Sequence, residues 1–292
     1  MRWSSGNRDN IEDLRGQSGG RSGVGMVPLG IGGFIVVALL SMFTGIDFFS
    51  MLGGLGGGSA STTAPVGTTG RATTGSPSEE RTVDMVDAVA RDAQETWQDL
   101  LGSRYEATKV VLFRDAIQST CGFAESATGP FYCPGDRKVY LDLSFFDELK
   151  QRFGAPGEFA QAYVLAHEIG HHVQNLTGTE ARVRQLQRGD PASANQMSVR
   201  LELQADCYAG IWGHAATGSG RAAQGKVELD PGDAEQALRA AASIGDDRLQ
   251  RMGTGRVMPE KFTHGSSAQR MEWFKRGFDS GDPRSCDTFG SR

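Results

Sequence analysis

Histidine is scarce in this chain of 292 residues: there are five, His167, His171, His172, His214 and His264. Cysteine is scarcer, at four, and no C-x-x-C pair is present, which speaks against a cysteine zinc site. Excess positive charge is missing as well. Thirty Lys and Arg against 35 Asp and Glu leave a net charge of −5, so nothing points to a nucleic-acid partner. No internal repeat is visible. Finally, no charged residue occurs between Ser22 and Ile46.

That last gap is filled by apolar residues, centred on Ile31 to Leu40. About 20 such residues span the hydrocarbon core of a bilayer as a helix. A cleaved signal peptide is the rival reading, but the run starts late and no small-x-small cleavage site follows it clearly. The expectation is a single-pass signal anchor at 22–46, attached to a membrane. Arg2, Arg8, Arg15 and Arg21 precede it and the next basic residue is Arg71. The positive-inside rule then puts residues 1–21 in the cytoplasm and the remainder outside the cytoplasmic membrane. Residues 47–78 are rich in Gly, Ser and Thr and read as a flexible linker. A folded domain is expected over 79–292, and 38% hydrophobic residues suffice for one sizeable core.

Within that domain the pattern is α+β, a small sheet followed by helices. Glu79 to Leu101 has the apolar stripe of an amphipathic helix, and Lys109 to Phe113 is a short strand-like run. Phe131 to Leu141 reads as a hairpin around Pro134-Gly135-Asp136. Helices are expected from Ser144 to about Phe153, Gly157 to Leu176, Ser193 to Ala216, Asp233 to Ile244, and onward from Ser266, where Gln269 completes a capping box.

His167-Glu168-Ile169-Gly170-His171 carries the chemistry. Residues four apart share a helix face, so His167 and His171 can direct two imidazole nitrogens at one metal ion. Zinc suits imidazole ligands and needs no redox partner. Glu168 stands beside them as general base for a metal-bound water. The plain alternative is a solvated surface helix, but Phe159, Ala162, Tyr163, Ala166, Ile169 and Val173 describe a buried one. Buried histidines need partners.

A catalytic zinc site usually takes a third protein ligand. Glu202 is the candidate, 31 positions after His171 on the next long helix. Asp206 lies one turn further on the same face and is placed to accept the free N–H of a ligating imidazole. His264 is the best remaining histidine to stabilise negative charge on a carbonyl oxygen, against a plain loop histidine. Arg270 is read as neutralising a buried carboxylate or binding substrate, His172 as structural or exposed, and His214 receives no role. Cys121, Cys133, Cys207 and Cys286 all follow the apolar run, and an even number on the exported side suggests disulfides. Three pairings are open. The short Cys121–Cys133 loop is the easiest, leaving Cys207 with Cys286; a free buried Cys207 is the alternative.

Three stretches together resemble the bacterial neutral zinc metallopeptidase family: Ala162 to Gln174, Glu202 to Trp212, and Cys121-Gly122-Phe123 with Gly129 to Pro134. The resemblance covers roughly residues 79–289. It implies a membrane-anchored protein with a gluzincin-type, zincin-like core, one zinc ion on His167, His171 and Glu202, and Glu168 as base. The expected activity is endopeptidase cleavage of a peptide or protein substrate. Two rivals stay open, a non-proteolytic zinc-binding interaction or chaperone-like module and a zinc amidase acting on cell-wall peptides. No other cofactor is expected, and oligomeric state is not readable.

Overall fold

The computed structural model describes residues 1–16 and 75–290. The apolar run at 22–46 and most of the linker therefore lie outside the described residues. Among the described residues no helix is long and apolar enough to cross a membrane.

The elements are β1 (Ile11–Asp13), α1 (Pro77–Leu101), β2 (Lys109–Phe113), β3 (Ala116–Ser119), β4 (Gly122–Glu125), β5 (Phe131–Cys133) and β6 (Lys138–Asp142). Helices follow: α2 (Ser144–Gln151), α3 (Glu158–Leu176), α4 (Thr179–Gly189), α5 (Ala194–Ala215), α6 (Asp233–Ser243), α7 (Asp246–Thr254) and α8 (Ser267–Ser280). The class is α+β, a small sheet with helices, as expected. α1 starts where Ser76 caps it, its hydroxyl accepting from the Glu79 amide, with Pro77 in the first turn. The predicted capping box is present at α8, Ser266 with Gln269. At the start of α5, by contrast, the Ser193 side chain makes no capping bond.

The main sheet has the order β1-β2-β6-β5. β1, β2 and β6 run parallel and β5 is antiparallel at one edge. β2 is buried from Val110 to Phe113, which is why it reads as a continuous apolar run rather than an alternating one. β3 and β4 form a separate hairpin. Behind the sheet, α3 is buried along nearly its whole length and packs on α5, which packs on α8. Two glycines set the α5–α8 distance. A Cβ at Gly277 would fall 1.9 Å from the Cys207 carbonyl oxygen, and one at Gly210 would fall 2.1 Å from that of Phe274.

The division of the chain differs from the expected one. Residues 1–16 were expected as a segment separate from the 79–292 domain; they are built into it. Ile11, Glu12 and Asp13 pair with Val110, Val111 and Leu112. Arg15 is buried and bonds Asp13, Glu79 and Glu80 at 2.6, 2.9 and 3.0 Å. Arg8 bonds Glu80 and Asp84, each at 2.7 Å. Basic residues that sequence alone assigned to a membrane-flanking cluster are neutralising the acidic start of α1.

Candidate metal centre

α3 presents His167 and His171 one turn apart, and α5 brings Glu202 against them. The Nε2 atoms of the two histidines lie 3.2 Å apart. Glu202 Oε2 is 3.2 Å from His167 Nε2, and Oε1 is 3.5 Å from His171 Nε2. One ligand atom from each of the three residues lies within 4.8 Å of the others. Two atoms each about 2.0–2.1 Å from a tetrahedral zinc ion sit about 3.3 Å apart, so the histidine spacing fits.

The outward-facing nitrogens explain why the Nε2 lone pairs are free to converge. His167 Nδ1 donates to Asp206 Oδ1 at 2.9 Å, and His171 Nδ1 donates to Gln174 Oε1 at 2.8 Å. Asp206 is fully buried and is held by Arg270, whose Nε and Nη2 each bond it at 2.8 Å, and by the Tyr163 hydroxyl at 2.5 Å. Burial opposes its ionisation, but Arg270 and His167 outweigh burial and bring its pKa down to about 2. Asp206 is thus a buried carboxylate with a fixed counter-ion. Arg270 takes the first of its two predicted roles.

Glu168 borders an apolar recess lined by Pro130, Val139, Leu141, Phe146, Val164 and Leu165. That burial raises its pKa against the opposing pull of His171 and His167. A carboxyl so placed is tuned toward accepting a proton. His264 lies at the loop before α8, its Nδ1 3.3 Å from Asp246 Oδ1. Asp246 Oδ2 also accepts the amides of Thr263, His264 and Gly265 at 2.7, 2.7 and 3.0 Å, which fixes the loop. Burial disfavours protonated His264, while Glu202 and Asp246 favour it more, and the net shift is upward. His172 is buried and structural: Nε2 donates to the Glu106 carbonyl at 2.6 Å and Nδ1 accepts from Tyr132. His214 ties α5 to the Phe278 carbonyl.

Both cystines are formed, Cys121–Cys133 and Cys207–Cys286, and no cysteine is free among the described residues. The first fastens the β3–β4 turn to β5. The second fastens the C-terminal tail to α5, one residue past Asp206.

A family model described as "Putative neutral zinc metallopeptidase" matches residues 1–289. The chain belongs to this family. The match begins at residue 1, so it takes in the docked N-terminal segment. The uncharacterised protein YpfJ of Escherichia coli (strain K12) is 45% identical over 300 residues, covering 99% of each chain. The uncharacterised protein Rv2575 of Mycobacterium tuberculosis (strain H37Rv) is 45% identical over 208 residues, covering 70% of this chain and 69% of its own. No solved structure matches the chain. Membership of a zinc metallopeptidase family agrees with a His167, His171 and Glu202 group able to hold a metal ion.

Sequence reasoning missed Tyr163, Gln174, Gln204 and Asp246. Tyr163 was placed with the core by its apolar spacing, and its ring is indeed buried. Gln174 lies inside a quoted motif, and its position three residues after His171 was the available signal.

Proposed function

We propose that the protein is a zinc-dependent endopeptidase that hydrolyses peptide bonds with Glu168 as general base. The observation that carries this is the convergence of His167 Nε2, His171 Nε2 and the Glu202 carboxylate, with Glu168 beside them on the same helix. Bound there, zinc supplies a polarised carbonyl and a water acidic enough to lose a proton near neutral pH. Glu168 takes that proton and returns it to the leaving amine. Asp206, locked by Arg270 and Tyr163, keeps His167 in the tautomer that offers Nε2. His264, oriented by Asp246, donates to the oxygen on which negative charge builds. β5 lies at the sheet edge beside α3 and gives an extended peptide a strand to pair with.

Its two cystines support a reading in which the catalytic domain lies outside the cytoplasm, because disulfides persist in oxidising compartments. On that reading the docked residues 1–16 lie on the same side.

The test compares wild type with Glu168→Gln for metal content and for cleavage of casein and of isolated muropeptides. Wild type is expected to hold one zinc and cleave casein. The variant is expected to keep the metal and lose activity by about 10²–10⁴-fold. Zinc retained by wild type with no cleavage of either substrate would overturn the enzymatic reading in favour of a zinc-binding interaction module. Cleavage of muropeptides alone would replace the endopeptidase with an amidase.

A further inference from the structure

His167 is oriented by a charged residue, whereas His171 is oriented by a neutral amide whose own orientation is dictated from elsewhere. Gln174 is fully buried, one turn beyond His171 on α3. Its Nε2 donates to the Leu201 carbonyl at 2.7 Å and to Gln204 Oε1 at 3.1 Å. Gln204 Nε2 in turn donates to the Cys286 carbonyl at 3.0 Å. Backbone carbonyls only accept hydrogen bonds, so each end of this relay removes an ambiguity. The Cys286 carbonyl forces the Gln204 amide to turn its nitrogen toward the tail and its oxygen toward Gln174. The Leu201 carbonyl and Gln204 oxygen together force Gln174 to turn its nitrogen toward α5 and its oxygen toward His171. An oxygen 2.8 Å from His171 Nδ1 then requires the proton to sit on Nδ1. The lone pair is left on Nε2, facing His167 and Glu202.

We infer that Gln174 and Gln204 are positioning residues that hold His171 in its metal-binding tautomer, with the disulfide-tied Cys286 carbonyl as the fixed end of the relay. The inference rests on the reading that His167, His171 and Glu202 hold zinc. Two features give the relay its leverage. Leu201 immediately precedes Glu202, so Gln174 ties the orientation of one ligand to the helix position of another. Cys286 is fully buried and bonded to Cys207 on α5, so the last carbonyl is pinned by a covalent link rather than left on a free tail. The relay also divides the labour at the site. Asp206 brings a full negative charge to His167, already offset by Arg270, while Gln174 aligns His171 without adding another charge among buried carboxylates.

The experiment measures zinc affinity by chelator competition on metal-free full-length protein, alongside the imidazole ¹⁵N spectrum of His171. Gln174→Met keeps the side-chain length and removes both the acceptor and the donor. It is expected to weaken zinc binding about 10–100-fold, the usual effect of removing an outer partner of a metal ligand. The metal-free spectrum should change from the Nδ1–H tautomer to a mixture. Gln204→Met is expected to shift both readouts in the same direction and by less. A folded Gln174→Met protein with unaltered zinc affinity and tautomer would overturn the inference. Should that variant fail to fold, unaltered affinity and tautomer in Gln204→Met would overturn it equally. Wild type that takes up no zinc at all refutes the metal-centre reading instead, so the two failures are separable.

Discussion

Asp246 and His264 illustrate a pairing that only the fold could supply. They are 18 positions apart, on different elements, and no periodicity links them. His264 was singled out by elimination among five histidines, but nothing in sequence marked Asp246 as its partner among 35 acidic residues. Glu202 and Asp206 were legible because an i, i+4 acidic pair stood among Leu201, Leu203, Ala205, Ile211 and Trp212 on a buried helix. Burial opposes protonation of His264, but Glu202 and Asp246 outweigh it and raise its pKa, so protonated His264 persists above its ordinary range and is lost as pH rises through the raised value. Activity that needs its donated proton should fall along the same alkaline limb. Asp246→Asn removes one of the two carboxylates and leaves an acceptor for the loop amides. It is expected to move the alkaline limb of kcat/KM toward lower pH and reduce kcat about 10–100-fold, with zinc content unchanged. An unmoved limb in the pH profile would detach Asp246 from His264.

At the scale of elements, segments with a clear apolar face, apolar run or turn were readable, including the short β2, the β5–β6 hairpin and α2, and segments without one were not. α1, α3, α5 and β2 were found within a few residues of their bounds, because each buries a broad apolar face or run. β1, the β3–β4 hairpin, α4 and α7 went unpredicted. β1 is only Ile11–Asp13, and two of its three residues are acidic, so its strand character comes from pairing with β2 rather than from its own pattern. α4 buries only Val183 among hydrophobic residues, which leaves little amphipathic signal. The spacing of α5 and α8 was equally invisible, yet it decides whether Arg270 reaches Asp206. Gly277→Ala places a methyl group against the Cys207 carbonyl and must push the two helices apart. Overpacking of this kind costs about 1–3 kcal/mol. Thermal melting of the metal-free variant should show that loss, and zinc affinity should fall with it as Arg270 is drawn off Asp206. A variant of wild-type stability would mean that the helix contact tolerates a side chain.

At the scale of the molecule, hydropathy and fold disagree about the N-terminal segment. Hydropathy counts Arg2, Arg8, Arg15 and Arg21 as flanking charges that stay in the cytoplasm. Three of the four instead satisfy carboxylates of the folded domain: Arg2 bonds Glu228 and Asp230, Arg8 bonds Glu80 and Asp84, and Arg15 bonds Glu79 and Glu80. Isolated surface pairs of this sort are worth little. The buried Arg15 network and the parallel β1–β2 ladder are different, because opening them leaves unpaired polar groups in the interior. We propose on this account that the segment and the domain share a compartment. Cysteines introduced singly at Ser5 and at Glu235, both exposed, give a direct readout with a membrane-impermeant maleimide on spheroplasts. Both positions are expected to label to the same extent before lysis, and both strongly if the cystine-bearing domain is exported. Labelling of Glu235→Cys with protection of Ser5→Cys until detergent is added would establish a single crossing. It would then show that residues 1–16 are not docked in the membrane-bound protein.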